Sequence, residues 1–255
     1  MVIVLQIFFV LVLLVLLILF VYKPKRTKGI ILKLEQLRPV LSDHVKFYQR
    51  LSEEGKKLFE EKMQKFFHDV RITGVSTVVE DIDRVLIGAG AIIPVYAFRD
   101  WDYTNLHEIL LYPGIFNEEF EQEGYYRSIS GMVGSGPLQN VMLISRTDLR
   151  RSFIDNFSTR NTAVHEFVHL IDKMDGTMDG IPEILLERKH VNHWLHIMNE
   201  TVQQIRNEQS DIDIYAATNQ AEFFAVVSEY FCERPDLLRL NHPELFGMLS
   251  RIFIR

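Results

Sequence analysis

The chain has 255 residues, a formal net charge of −6, and ordinary shares of hydrophobic (47%) and charged (24%) residues. This length is enough for one medium domain with a substantial core. The acidic balance excludes the basic stripe that nucleic-acid-binding proteins carry, so we expect no direct nucleic-acid partner. The single cysteine, Cys232, excludes an intrachain disulfide, and its place directly after two aromatic residues favours buried packing.

Residues 1–22 form an uncharged apolar run in which Gln6 is the only strongly polar side chain. As a helix, this run would cover roughly 30 Å, the thickness of the hydrocarbon core of a bilayer. A cleaved signal peptide would need a basic start, a shorter apolar region and a small-residue cleavage site. We therefore predict an uncleaved transmembrane helix at 1–22 that contacts the lipid bilayer.

Lysines and arginines cluster directly after this run, at positions 23, 25, 26 and 28, and none precede it. Positively charged flanks stay in the cytoplasm. The sequence therefore predicts a single-pass protein of the cytoplasmic (inner) membrane whose remaining domain faces the cytoplasm. We expect a juxtamembrane linker at 23–50, helical or extended and broken at Pro39, and a folded domain at 51–255.

The first half of this domain shows one helix, one tightly packed apolar segment and two short strands. Ser52 is a plausible N-cap, and apolar residues recur at helical spacing from there to about Val70. The apolar run at 84–98 predicts a packed helix ending near Pro94. Strands are predicted at 109–112 and 141–145, the latter (VMLIS) as an edge to which an extended peptide could add. The intervening GMVGSG predicts a glycine-rich turn.

The second half is helical by its spacing of apolar residues. One helix carries the segment HEFVH (165–169) and ends at the loop DKMDGTMDGIP. A long helix is predicted from Pro182 to about Glu208, another from about Asn219, and a short one at 243–254. The expected fold class is therefore α+β: one mainly helical domain with a small sheet, preceded by one transmembrane helix.

His165 and His169 lie four residues apart, which places both imidazoles on one helix face, where a single zinc ion can bind them. Glu166 is placed to take a proton from a water molecule that zinc activates for attack on an amide carbonyl. By chance this pattern occurs in roughly a few per cent of chains of this length, so a helix with two surface histidines is the alternative. The apolar residues on most sides of the helix favour a metal, because buried polar side chains need partners.

A catalytic zinc ion commonly has a third protein ligand. Glu222 lies among aromatic and aliphatic residues, where a carboxylate is either paired or bound to a metal. Glu229 is seven residues further on, about 10 Å along a helix, so one metal cannot bind both; Glu229 is then left for a structural hydrogen bond or one to a ligand histidine. Tyr215 is either a donor to the oxyanion formed on attack or an ordinary half-buried tyrosine.

These segments resemble the Mlc titration factor A family of bacterial zinc peptidases. The resemblance covers about residues 50–240 and rests on HEFVHLIDKMDG, VMLIS, YAATNQAEFFAVVSEYF, RITGVSTVVEDIDRVLIGAGAIIPV and YTNLHEILLYPGIF. The block from Tyr215 to Glu222 is also similar to the catalytic domain of anthrax lethal factor. The apolar N-terminal segment departs from the soluble members of the family.

The resemblance implies a zincin-like fold with Zn²⁺ bound by His165, His169 and Glu222. It implies that Glu166 is the general base and that Tyr215 stabilises the transition state. The implied activity is that of an aminopeptidase-like peptidase acting on peptide or protein substrates. The alternatives are a membrane-tethered module that sequesters a regulatory protein such as a transcriptional repressor, and a hydrolase of a non-peptide amide.

Two weaker sets of residues complete the analysis. His190, His193 and His196 recur every third residue, which suits a solvated helix face better than a second metal site. Asp172 could accept a hydrogen bond from a ligand histidine, as carboxylates around metal sites commonly do. Solvation of the helix end is the alternative.

Overall fold

A computed structural model describes residues 33–117, 129–155 and 158–254 of the chain. It is mainly helical with one four-stranded sheet, as predicted. The helices are α1 (Leu34–His44), α2 (Lys46–Gln49), α3 (Glu53–Asp69), α4 (Asp81–Ile92), α5 (Arg146–Ile154), α6 (Thr162–Asp172), α7 (Arg188–Arg206), α8 (Gln220–Glu233), α9 (Pro235–Asn241) and α10 (Pro243–Phe253). The strands are β1 (Arg71–Gly74), β2 (Glu108–Tyr112), β3 (Gly131–Val133) and β4 (Val141–Ser145).

The predicted transmembrane helix at 1–22 lies outside the described residues. Within the described ranges, no helix has both the length and the apolar character needed to cross a bilayer.

The segment around Pro39 differs from the prediction. Pro39 lies inside α1 and does not break it. Proline removes the hydrogen bond to the carbonyl of Glu35, but both residues are exposed, so water can solvate that carbonyl. On the opposite side, Leu37 and Leu41 are fully buried in the core. The 33–50 part of the predicted linker therefore packs on the domain.

The sheet has the order β1–β2–β4–β3, with the first three strands parallel and β3 antiparallel to β4. The strands predicted at 109–112 and 141–145 are confirmed. Two related predictions are wrong. Gly131–Val133 is a strand and not a turn, because it pairs with Met142–Ile144. Strand β4 lies between β2 and β3, and β3 forms the edge of the sheet among the described residues.

Several helix ends follow the local sequence signals. The hydroxyl of Ser52 accepts from the Gly55 N–H at 3.2 Å, so α3 begins where the N-cap signal predicts. The long helix predicted from Pro182 begins only at Arg188, because the amides of Leu185 and Leu186 close a turn on the Pro182 carbonyl. Helix α9, Pro235–Asn241, was not predicted.

The core lies where α6 and α8 pack together. Both helices are buried on nearly all sides, which agrees with their almost continuous apolar sequences. Phe167 of α6 and Phe224 of α8 are fully buried. This arrangement brings the two helices that carry the predicted site residues into direct contact.

Candidate metal centre

Asn161 joins α6 to α8 at the start of the site. Its side-chain oxygen accepts from the Val164 N–H at 3.2 Å and caps α6. Its own N–H donates to Glu229 Oε2 at 2.5 Å, and its Nδ2 donates to Glu233 Oε1 at 2.7 Å. One buried residue therefore fixes where α6 begins and how it meets α8.

Three side-chain atoms converge between the two helices. His165 Nε2 lies 3.0 Å from His169 Nε2 and 3.0 Å from Glu222 Oε2, and the distance from His169 Nε2 to Glu222 Oε2 is 3.4 Å. Atoms bound tetrahedrally at about 2 Å from one ion lie about 3.3 Å apart. The donor set of two imidazole nitrogens and one carboxylate oxygen therefore fits a single metal ion, in the arrangement that the sequence predicted.

Glu229 positions His165. Its Oε1 lies 2.6 Å from His165 Nδ1, so a neutral imidazole donates from Nδ1 and directs the Nε2 lone pair toward the convergence point. Glu229 is 4% exposed, and it makes no hydrogen bond to His169 or Glu222, the other two converging side chains. Glu229 therefore orients His165, a candidate metal ligand, through a hydrogen bond. The sequence had left this role open for Glu229.

Asp172 is placed differently from the prediction. Its Oδ2 accepts from the N–H of Gly180 at 2.8 Å, and Gly180 adopts a left-handed conformation (φ +76°). Its Oδ1 and His169 Nδ1 are buried, and neither has a hydrogen-bond partner among the described residues. Asp172 thus holds the loop after α6, and the predicted bond to a ligand histidine is not made.

Glu166 lies beside the histidines with one oxygen uncommitted. The residue is 5% exposed, and its Oε2 has no partner within the described part of the chain. Burial raises the pKa of its carboxyl. The edge strand β3 passes directly over it: a Cβ added at Gly131 would lie 2.6 Å from Glu166 Cγ. Glycine at this position therefore leaves the space that the glutamate occupies.

Tyr215 reaches the site from the turn Ile214–Ala217. Asp213 fixes that turn by accepting the Tyr215 N–H at 2.9 Å. The phenol lies near the Glu222 carboxylate, and the centroid of its ring lies 6.0 Å from that of His165. Burial and the nearby carboxylate raise the pKa of Tyr215 to about 12, so the phenol remains a donor at neutral pH. The side chain is 49% exposed and can reach a molecule entering from solvent.

The weaker candidates lie elsewhere. His193 and His196 are exposed and pair with Glu244 at 3.3 Å and Glu200 at 3.4 Å, respectively. Among the described residues, His165, His169 and Glu222 form the one group suited to a metal ion. Cys232 is buried, and burial raises the pKa of its thiol, which agrees with a packing role.

Sequence reasoning missed two residues of this site. Asn161 carried a local signal, because an asparagine directly before an apolar helical run is a typical N-cap. Gly131 carried no usable local signal, because its contact with Glu166 joins positions 35 residues apart and depends on how β3 pairs with β4.

Comparison with known proteins identifies the family of this chain. The sequence pattern of the family described as glucose-regulated metallo-peptidase M90 matches residues 26–254. The chain belongs to this family. The family assignment supports a metallopeptidase-like domain and agrees with the resemblance found in the sequence.

Individual relatives extend the comparison. An uncharacterised protein of Synechocystis sp. is 31% identical over 229 residues, covering 84% of this chain and 82% of its own. Mlc titration factor A of Serratia proteamaculans is 33% identical over 177 residues, covering 63% of this chain and 64% of its own. Mlc titration factor A of Escherichia fergusonii is 34% identical over 159 residues, covering 58% of each chain. The chain therefore spans less than two thirds of these titration factors.

Proposed function

We propose that this chain is a zinc-dependent peptidase. The observation that carries the proposal is the convergence of His165, His169 and Glu222 beside a buried, uncommitted carboxylate oxygen of Glu166. Two imidazoles and a carboxylate form a ligand set typical of catalytic zinc. When bound, zinc lowers the pKa of a water molecule toward about 7 and polarises the substrate carbonyl.

The side chains supply the remaining chemistry. Glu166 accepts the proton from the attacking water, and its raised pKa suits a group that later returns that proton to the leaving amine. Tyr215 donates from its phenol to the oxygen that becomes negative during attack. Glu229 holds His165 in orientation throughout.

The edge strand β3 provides a place for the substrate backbone. It has one free edge within the described sheet and lies against Glu166. An extended peptide that adds to β3 as a further strand brings one of its carbonyl groups to the base. The proposed substrate-binding strand is therefore β3 and not β4, the strand that the sequence suggested.

The test compares Glu166→Gln with the unchanged chain and with Glu183→Gln, a control that removes an exposed carboxylate on the loop after α6. We expect Glu166→Gln to retain one equivalent of zinc and to lose nearly all cleavage of a peptide library, because the proton acceptor is gone. The control should retain both. Cleavage at the normal rate by Glu166→Gln would remove the mechanism. Matched peptides with free and acetylated amino termini distinguish aminopeptidase from endopeptidase action.

A second candidate function is sequestration of a regulatory protein, favoured by the name Mlc titration factor A that relatives carry. A binding module has no need of Glu166 or of the Tyr215 phenol. Partner capture that is unchanged in Glu166→Gln, from a chain that cleaves no peptide, would favour this function. Retained metal with lost cleavage favours the peptidase.

The proposed location is the cytoplasmic membrane, with residues 1–22 spanning the bilayer and the catalytic domain on the cytoplasmic side. The uncharged run and the basic residues that follow it support this location. The substrates would then be peptides or proteins available at the inner surface of the membrane.

A further inference from the structure

The turn that carries Tyr215, Ile214–Ala217, buries little apolar surface of its own. Ile214 and Tyr215 are exposed, whereas Ala216 is buried and Ala217 is half-buried. Because a methyl group removes only a small area from water, these alanines contribute little to holding the turn in place. The position of the Tyr215 phenol therefore depends on the polar contacts at the two ends of the turn.

Asp213 fixes the first end of the turn. Its Oδ1 accepts from the Tyr215 N–H at 2.9 Å, and its carbonyl oxygen accepts from the Ala216 N–H at 3.0 Å. An aspartate that accepts a backbone N–H two residues on sets the direction of the chain that follows. The Tyr215 phenol, which lies near the Glu222 carboxylate, thus projects from a backbone that Asp213 holds.

Arg160 holds the Asp213 side chain from another segment of the chain. Its Nε donates to Asp213 Oδ2 at 2.8 Å, and its Nη2 donates to the same oxygen. Each carboxylate oxygen therefore serves one partner, Oδ1 the Tyr215 N–H and Oδ2 the guanidinium. Burial alone would raise the pKa of Asp213, but the hydrogen bonds from Tyr215 and Arg160 outweigh it and lower that pKa. The carboxylate is ionised at neutral pH and keeps both contacts.

The main chain beside Arg160 is bound to the opposite side of the candidate site. Arg160 directly precedes Asn161, whose N–H donates to Glu229 Oε2 at 2.5 Å. Glu229 Oε1 in turn lies 2.6 Å from His165 Nδ1. Positions 160 and 161 therefore connect the carboxylate that orients His165 with the turn that carries Tyr215.

The second end of the turn has a weaker contact. Arg206 Nη2 donates to the Ala217 carbonyl at 3.2 Å, which is a neutral acceptor. In the contact between Arg160 and Asp213 both groups are charged, and such hydrogen bonds are the stronger class. The Arg160 side chain is 70% exposed, so solvent screening makes its contribution to overall stability small. Loss of Arg160 should therefore leave the fold intact and change the local position of the turn.

We propose that Arg160 is a positioning residue for the peptidase reaction, because through Asp213 it holds the Tyr215 phenol beside the candidate metal centre. The inference rests on the proposed function, in which the phenol donates to the oxygen that becomes negative during attack. The Arg160 guanidinium contacts Asp213 and acts on the reaction through the turn. A displacement of about 1 Å is enough to weaken a catalytic contact.

The first measurement reads the position of the phenol without any cleavage. The full-length chain carries 3-fluorotyrosine at position 215 and is observed by fluorine NMR. We expect Arg160→Gln to shift or broaden the signal. Arg188→Gln, which removes an exposed arginine at the start of α7, is the matched control and should leave the signal unchanged. An unchanged signal in Arg160→Gln would overturn the proposal, and this result can be read even if the chain cleaves no peptide and the proposed function fails.

The second measurement is a double-mutant cycle on kcat. Arg160→Gln should lower kcat by about three- to tenfold with KM and zinc content unchanged, because the phenol is misplaced. In a chain that already carries Tyr215→Phe, the same substitution should lower kcat by less than about twofold, because no donor remains to be misplaced. An equal fall in both backgrounds would show a general structural effect, and a rise in KM with kcat unchanged would place Arg160 in substrate binding. Either result, or an unchanged kcat and KM, would overturn the proposal.

Discussion

Glu229 and Glu222 offer a quantitative test of how the predicted metal site is built. The Glu229 carboxylate accepts two hydrogen bonds, from His165 Nδ1 at 2.6 Å and from the Asn161 N–H at 2.5 Å. Glutamine at this position has one carbonyl oxygen and one NH₂ group. In Glu229→Gln, the NH₂ group must face one of the two donors, so one hydrogen bond is lost and His165 is less well oriented.

The expected magnitude follows from that loss. Removing a hydrogen-bond partner of a ligand histidine lowers metal affinity by about 10- to 100-fold, or about 1.4–2.7 kcal/mol. Glu222→Gln removes a bond to the metal itself, because Glu222 Oε2 is one of the three converging atoms. We expect it to lower affinity by at least about another tenfold. In the absence of metal, Glu229→Gln should be the more destabilising of the two substitutions. We expect it to reduce the free energy of unfolding by about 1–3 kcal/mol.

The assay is competitive titration of zinc against a chromogenic chelator, with thermal unfolding of the metal-free chains beside it. Glu244→Gln is the control, because this exposed carboxylate pairs with His193 on the surface, away from the proposed metal ligands. Equal zinc affinity in Glu229→Gln and the unchanged chain would refute the positioning role. Weaker binding by Glu229→Gln than by Glu222→Gln would show that the two glutamates have been assigned in the wrong order.

Three further predictions concern turnover, stability and topology. Tyr215→Phe should lower kcat by about 10²–10³-fold with zinc retained, since one donor to the oxyanion is lost; steady-state kinetics with KM unchanged would agree, and an unchanged kcat would not. Burial alone would raise the pKa of Glu60, but hydrogen bonds from Arg38 and Tyr48 outweigh it and lower that pKa below its usual range. The stabilisation by Glu60 is therefore fully present above about pH 4.5 and is lost as the pH falls through the lowered pKa. Denaturant unfolding of Glu60→Gln at pH 7 should show a loss of about 1–3 kcal/mol that shrinks in acid, and a loss independent of pH would contradict this. A C-terminal fusion should be active with a cytoplasmic reporter, whereas activity of a periplasmic reporter, or a soluble mature product, would overturn the predicted topology.

The parts of the fold that sequence predicted are those set by local chemistry. Ser52 and Asn219 mark the starts of α3 and α8 because each side chain accepts a backbone N–H three residues on. His165 and His169 could be paired because helical spacing alone places them together. Glu222 could be added because its apolar neighbours make an isolated carboxylate costly.

The parts that sequence did not predict depend on contacts between distant segments. Strand β3 is short and glycine-rich, and it becomes a strand only through pairing with β4. Pro39 is tolerated in α1 because its face is exposed, which no local signal reveals. The hydrogen bond between His165 and Glu229 joins residues 64 positions apart. From the sequence, Asp172 and Glu229 were both candidate partners of a ligand histidine.

The contact between Gly131 and Glu166 separates metal binding from turnover at a single position. A methyl group at residue 131 would overlap the glutamate side chain, whose Cγ lies 2.6 Å away, while the metal-binding residues lie on α6 and α8. One substitution there is therefore expected to abolish the proposed cleavage and to leave the three proposed metal ligands in place. Across the family, the residue that aligns with Gly131 then becomes a criterion for sorting members: glycine is expected in those that cleave, and larger residues are tolerated only in those that bind.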